Sequence, residues 1–195
     1  MKKTEITILI ISIIAIALNF FLVPGGTVLA VFSISFLTTI YFYFGFALFN
    51  SIRLRNIFKK ESYKGITSQR LIGSIGAGLA LALTALGILF KLLSWPGSTV
   101  NLGAGLLGLL IVLIIGSIKY FNNKSKFYLP IFKRIVFFGS LGLVLVLTPK
   151  STFINIKYRN HINYANALKN SIANPKNEEL HKILDEERTK MEQSD

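Results

Sequence analysis

The sequence contains no cysteine. That removes disulfides, thiolate nucleophiles and zinc–thiolate sites together, and leaves the redox compartment unspecified. Acidic residues are nearly as scarce: Glu5 and Glu61 are the only carboxylates before residue 150, against 14 Lys or Arg. Histidine is confined to His161 and His181 near the C-terminal end. Neither has a Glu-x-x-His pairing or a nucleophile arrangement beside it, so both read as surface residues. There is no Walker loop and no dinucleotide fingerprint, and the glycines between residues 78 and 87 read as helix packing rather than a phosphate cradle. Catalytic carboxylate, Cys and His are all missing from the long apolar runs, so the sequence predicts no enzyme, no cofactor and no metal site.

What the chain has in abundance is apolar length. Of its 195 residues 52% are hydrophobic, 16 are Phe, and the mean hydropathy is +0.55. This composition predicts an all-α integral membrane protein. A formal net charge of +13 would suggest nucleic acid as the partner of a soluble protein. Here the cations lie between apolar runs, which predicts the lipid bilayer as partner and no nucleic acid.

The clearest stretch runs from Leu71 to Ile118. Leu71–Leu93 carries one charge, Lys91, and Val100–Ile118 carries none. Each approaches the roughly 20 residues needed to cross a hydrocarbon core as a helix. Between them Pro96 cannot continue a helix, Gly97 tolerates a positive φ, and Ser98 or Thr99 can cap the next helix. Trp95 belongs at the headgroup level, and Lys91 is placed to snorkel to the same interface. Small residues recur at four-residue spacing: Gly73/Ala77, Gly78/Ala82 and Ala104/Gly108, with Gly116 beyond. Such faces allow close helix approach within the chain or with a second copy.

A first hairpin precedes it over residues 1–50. Lys2 and Lys3 lead into an apolar run from Ile6 to Val23 without a convincing cleavage site, read as an uncleaved first helix. A turn at Pro24, Gly25, Gly26 and Thr27 follows, then a second span from Val28 to Phe49 whose far half is crowded with Tyr41, Phe42, Tyr43, Phe44, Phe46 and Phe49. This is the pattern of an interfacial aromatic belt. Residues 51–70 form a basic loop with Arg53, Arg55, Lys59 and Lys60 as membrane-surface cations. Interleaved apolar residues suggest a short amphipathic helix there. After the hairpin at 71–118, residues 119–134 form a second basic loop, with Lys133 and Arg134 again assigned to the membrane surface. Asn122, Asn123 and Pro130 interrupt the helical pattern, and 135–149 is a fifth membrane segment, short unless residues 127–132 join it.

The positive-inside rule then places the basic loops and the N-terminus in the cytoplasm and both Pro-Gly turns outside. If the fifth segment crosses, the tail at 150–195 lies outside too. In that tail Ile154, Tyr158, Ile162, Ala165, Leu168 and Ile172 predict one helix, and a second follows Asn174-Pro175 with Leu180, Ile183, Leu184 and Met191 as its stripe. Glu178/Lys182 and Glu186/Lys190 are spaced as ion pairs.

Two larger patterns complete the picture. Pro24–Val28 aligns with Pro96–Val100 at an offset of 72, and Phe49-Asn50 falls on Phe121-Asn122. This predicts a parallel repeat of two hairpins, although apolar hairpins with Pro-Gly turns also resemble one another by chance. Finally, Phe90-Lys91-Leu92-Leu93-Ser94-Trp95-Pro96-Gly97 resembles the Phe-Lys-x-x-His-Trp-Pro-Gly signature in the transmembrane hairpin of the GldL family, the membrane subunit of the gliding-motility and type IX secretion motor. The resemblance covers residues 71–118 and implies a bacterial inner membrane and helix-to-helix assembly. Ser94 stands where that family has His, and Val100–Ile118 lacks the membrane carboxylate its second helix carries. The functional expectation is a structural or assembly role, with a homo-oligomer or a membrane protein as partner. The alternative is a small-molecule permease or membrane-embedded sensor with a site near Asn19, Asn101 and the aromatic belt.

Overall fold

The structure is a computed structural model and describes residues 1–194; Asp195, the end of the expected tail, lies outside them. The chain divides into two compact units, Met1–Leu147 and Thr148–Asp195. The first contains five apolar helices: α1 (Lys2–Phe20), α2 (Gly26–Phe49), α3 (Ser68–Leu92), α4 (Ser98–Asn123) and α5 (Tyr128–Leu147). All five are long and apolar enough to cross a membrane, and the protein is an all-α, multi-pass membrane protein. Helix α3 is the hub, packing on α2, α4 and α5, while α1 packs on α2. It is also the most enclosed of the five spans, more than half of it buried, whereas α1 and α4 are mostly exposed on the outside of the bundle.

The fifth span is longer than the residues after Arg134 suggest. Pro130 does not interrupt it but sits in its first turn, where the backbone N–H that proline lacks has no helical acceptor. With 20 residues at 1.5 Å each, α5 is about 30 Å long, enough to cross. The loop after α2 departs from expectation in the other direction. No amphipathic helix forms there; two short 3-10 turns, Leu54–Asn56 and Lys60–Tyr63, carry the chain instead. Arg53, Arg55, Lys59 and Lys60 are all exposed, and between them Phe58 is 96% exposed.

The two hairpin turns are copies of one another. Helices α1 and α3 end at Phe20 and Leu92, and α2 and α4 begin at Gly26 and Ser98, each pair 72 residues apart. After α1, Leu22 is left-handed (φ 57°); its N–H bonds to Asn19 O, and the N–H of Val23 bonds to Leu18 O. After α3, Ser94 is left-handed (φ 58°), bonding to Lys91 O, and the N–H of Trp95 bonds to Phe90 O. Both are Schellman caps. Gly25 (φ 83°) and Gly97 (φ 76°) then start the following helix. The Schellman motif is usually accompanied by an apolar contact between the residues its outer bond joins; here Phe90 and Trp95 meet edge-to-face with centroids 5.2 Å apart. The exits at the opposite end do not copy one another. Phe49 is buried whereas Phe121 is 75% exposed.

The second unit holds α6 (Lys150–Lys157), α7 (Ile162–Ala173) and α8 (Glu178–Ser194). The single helix expected over 154–172 is broken at Tyr158–His161, so its apolar stripe is not continuous, and Ile162 and Ile172 are exposed. The unit's own core joins Tyr164 and Ala167 to Leu184, with Tyr158, Leu168 and Met191 around it. Asn177 caps α8: its Oδ1 accepts from the N–H groups of Glu179 and Leu180 at 3.0 and 3.3 Å. Lys190 pairs with Glu187, three residues away, rather than with Glu186. That hydrogen bond holds the Lys190 ammonium above the ordinary lysine value.

Candidate functional site

The most informative side chains stand at the basic end of the five-helix bundle, where three distant segments meet. Helix α1 begins at Lys2, so Glu5 lies in its first turn, where a carboxylate is favoured by the helix dipole. Its side chain turns inward and is only 4% exposed. Arg134, on the first half of α5, meets it with two parallel contacts: Nε donates to Oε1 at 2.5 Å, and Nη2 donates to Oε2. Tyr41 of α2 donates its hydroxyl to the same Oε1 at 2.7 Å. The third arm of the guanidinium, Nη1, donates to Pro130 O at 2.8 Å. Phe49 lies under the guanidinium, 5.4 Å from ring centroid to Cζ, and Phe138 packs edge-on against Tyr41 at 5.6 Å.

This is a fork-on-fork pair, the strongest geometry available to Arg and carboxylate. It joins the first span to the last, 129 residues apart, with α2 as the third member. Chemically it is a closed arrangement. Each carboxylate oxygen accepts a guanidinium N–H, and Oε1 accepts the tyrosine as well. The cluster therefore works as a clasp between helices.

Two sequence assignments are corrected here. Arg134 is not a free surface cation but a half-buried one paired with Glu5, whose counter-charge makes its partial burial tolerable; neighbouring Lys133 is exposed. Tyr41 is not part of an interfacial belt, since it is 1% exposed inside the bundle, while Phe42 and Tyr43 on the same helix do face outward. The signal for the cluster was a lone acid in a basic flank together with one arginine at the edge of an apolar run. Neither is specific without knowing that α1 and α5 are neighbours.

At the turn end, Trp95, Pro96, Gly97, Pro24 and Gly25 are exposed, as an interfacial turn requires. Lys91 differs from the snorkelling role given to it, being 4% exposed and enclosed by the protein. Asn19 donates to Thr27 Oγ1 at 2.6 Å, a local tie across the first turn. A cavity of about 30 Å³ lies between α1, α2, α3 and α5, with room for little more than a water molecule.

Ala77, Gly78, Ala82 and Gly108 serve contacts inside the chain. Ala77, Gly78 and Ala82 are buried, and a Cβ on Gly78 would stand 2.5 Å from Tyr41 O, where α2 crosses α3 beside Gly45. Gly108 faces Ala80, whose Cβ would lie 3.0 Å from an added Cβ. The tightest α3–α4 approaches, Gly87 on Leu102 and Gly105 on Thr84, leave 2.6 Å for a Cβ and lie outside the spacings singled out in the sequence. Gly73 has nothing within 4 Å of an added Cβ, and Ala104 is exposed.

In the tail, His181 has a serine beside it that the sequence did not reveal. Its Nε2 lies 3.1 Å from Pro175 O and its Nδ1 3.0 Å from Ser171 Oγ. A carbonyl can only accept, so Nε2 carries a proton and donates to Pro175 O. Ser171 is buried, and the pair ties α7 to α8 rather than presenting a nucleophile. Among the described residues no group of three or more His, Asp or Glu could hold a metal. Compared with protein-family models, curated proteins and solved structures, the chain matches none.

Proposed function

We propose that this multi-pass membrane protein is a non-enzymatic scaffold, with the five-helix bundle as its anchor and the tail as the element that meets a partner. The observation that carries this reading is the tail itself, a separate helical unit with its own apolar core and with Ile172 and Ile183 about half exposed on a folded surface. The closed Glu5–Arg134–Tyr41 cluster supports an anchoring rather than a proton-carrying bundle. The partner is a second copy or another membrane protein; nucleic acid and cofactors have no part in it. The distribution of basic loops supports a bacterial inner membrane with the N-terminus in the cytoplasm and the tail in the periplasm. The likeness of residues 90–97 to the GldL hairpin is consistent with that membrane and with assembly through helices.

A photoreactive amino acid placed at Ile183 in intact cells tests the reading. A discrete adduct, either a dimer of this chain or a conjugate with one membrane protein, is expected, and it should be lost when Ile172 is changed to Asp. Adducts with lipid alone, together with a monomer by native mass spectrometry, would contradict it.

A further inference from the structure

One cavity in the bundle has a chemistry that helix packing does not explain. It lies between α3, α4 and α5 at the basic end, measures about 230 Å³, and carries Arg70 and Lys119 with no carboxylate among its lining residues. Lys119 Nζ donates to a neutral acceptor, Gln69 Oε1, at 3.2 Å. The Arg70 guanidinium stacks 4.2 Å above the Phe127 ring, and its Nε is sealed from solvent with no acceptor among the described residues. With no carboxylate lining the cavity, an anion there would meet two positive charges without a competing counter-charge.

Behind the cations the cavity is a slot along α3. Gly73 and Gly76 line it, and a Cβ on either would meet nothing within 4 Å. They differ from Gly78, Gly87 and Gly105, each of which is pressed against neighbouring backbone. Here the missing side chains keep space open instead of bringing helices together. The walls continue to the lipid-facing surface, where Ile72, Ile111 and Ile115 are all more than half exposed. The volume is below the roughly 300–1,000 Å³ of pockets that enclose whole small molecules. It suits a ligand whose remaining length lies in the bilayer.

We propose that this slot holds one anionic phospholipid, its phosphate between Arg70 and Lys119 and the upper part of one acyl chain along Gly73 and Gly76. Paired cations at the membrane surface supply the preference for an anionic headgroup, and the slot supplies the preference for a chain over a free anion.

The test is native mass spectrometry of the full chain with equal amounts of dioleoylphosphatidylglycerol and dioleoylphosphatidylcholine, with inorganic phosphate as a separate arm. Wild-type protein should retain one phosphatidylglycerol in clear preference to phosphatidylcholine, and millimolar phosphate should neither bind nor displace it. R70Q/K119Q should lower phosphatidylglycerol retention roughly tenfold or more. G73L/G76L, which fills the slot and leaves both cations in place, should lower retention as well. Both variants should keep wild-type helicity by circular dichroism, since neither touches the Glu5–Arg134 clasp. Equal retention of the two lipids by wild type, or undiminished retention by folded G73L/G76L, would overturn the proposal. Displacement by phosphate would also overturn it and assign the cations to a soluble anion.

Discussion

The two ends of the membrane bundle are held together by different means. At the turn end the work is done by backbone: two Schellman caps, two left-handed glycines, and the same hydrogen bonds repeated 72 residues apart. At the basic end it is done by side chains. Glu5, Tyr41 and Arg134 come from three helices, Asn50 reaches from the end of α2 to Ser74 of α3, and Lys119 reaches from α4 to Gln69. The first kind of join depends on a handful of adjacent residues and can be repeated by copying them. The second depends on which helices are neighbours, and the two hairpins share none of it.

Substitutions separate the two mechanisms. The largest effect is expected from Arg134→Gln, which leaves Glu5 buried without its counter-charge. Loss of one partner of a buried pair typically costs about 3–5 kcal/mol, read as a lowered unfolding midpoint in detergent micelles. Tyr41→Phe removes one donor but leaves both guanidinium contacts, so the expected loss is about 1.5–3 kcal/mol, typical of a hydrogen bond to a charged group. Gly87→Ala drives a methyl into the Leu102 backbone and should cost about 1–3 kcal/mol. Gly73→Ala, in the same helix with open space beside it, should gain up to about 1 kcal/mol from helix propensity. The smallest change, Ser94→Gly, relieves a left-handed non-glycine residue. It should stabilise by about 0.5–1 kcal/mol once the added freedom of the unfolded chain is subtracted.

The same division explains what the sequence made legible. The spans, the turns at Pro24 and Pro96 and the 72-residue offset all follow from local composition and spacing, and the helix ends agree with that offset. The fifth span was half legible, because Pro130 looks like a breaker until it is recognised as a first-turn residue. The split of the tail into α6 and α7 was hidden, since Ile154, Tyr158 and Ile162 keep helical spacing across the break. The Glu5–Arg134 pair was invisible for another reason: nothing within ten residues of either names its partner. Arg134 resembled Lys133, and only the neighbouring helices distinguish an inward cation from an outward one. Small-residue spacing identified the right face of α3 at Gly78 and Ala82 but missed Gly87 and Gly105, whose contacts are with Leu102 and Thr84 rather than with other small residues.

The central claim is that the Glu5–Arg134 ion pair joins the first and fifth spans at the basic end, and a double-mutant cycle over these two residues tests it most directly. Glu5→Gln, Arg134→Gln and the double variant would be melted under one set of conditions. The clasp predicts that each single change is strongly destabilising and that the double variant is no worse than the harsher single one, giving a coupling of at least about 1.5 kcal/mol. Additive losses, or single variants that melt with the wild type, would mean that Glu5 and Arg134 act independently and that the bundle is closed by other contacts.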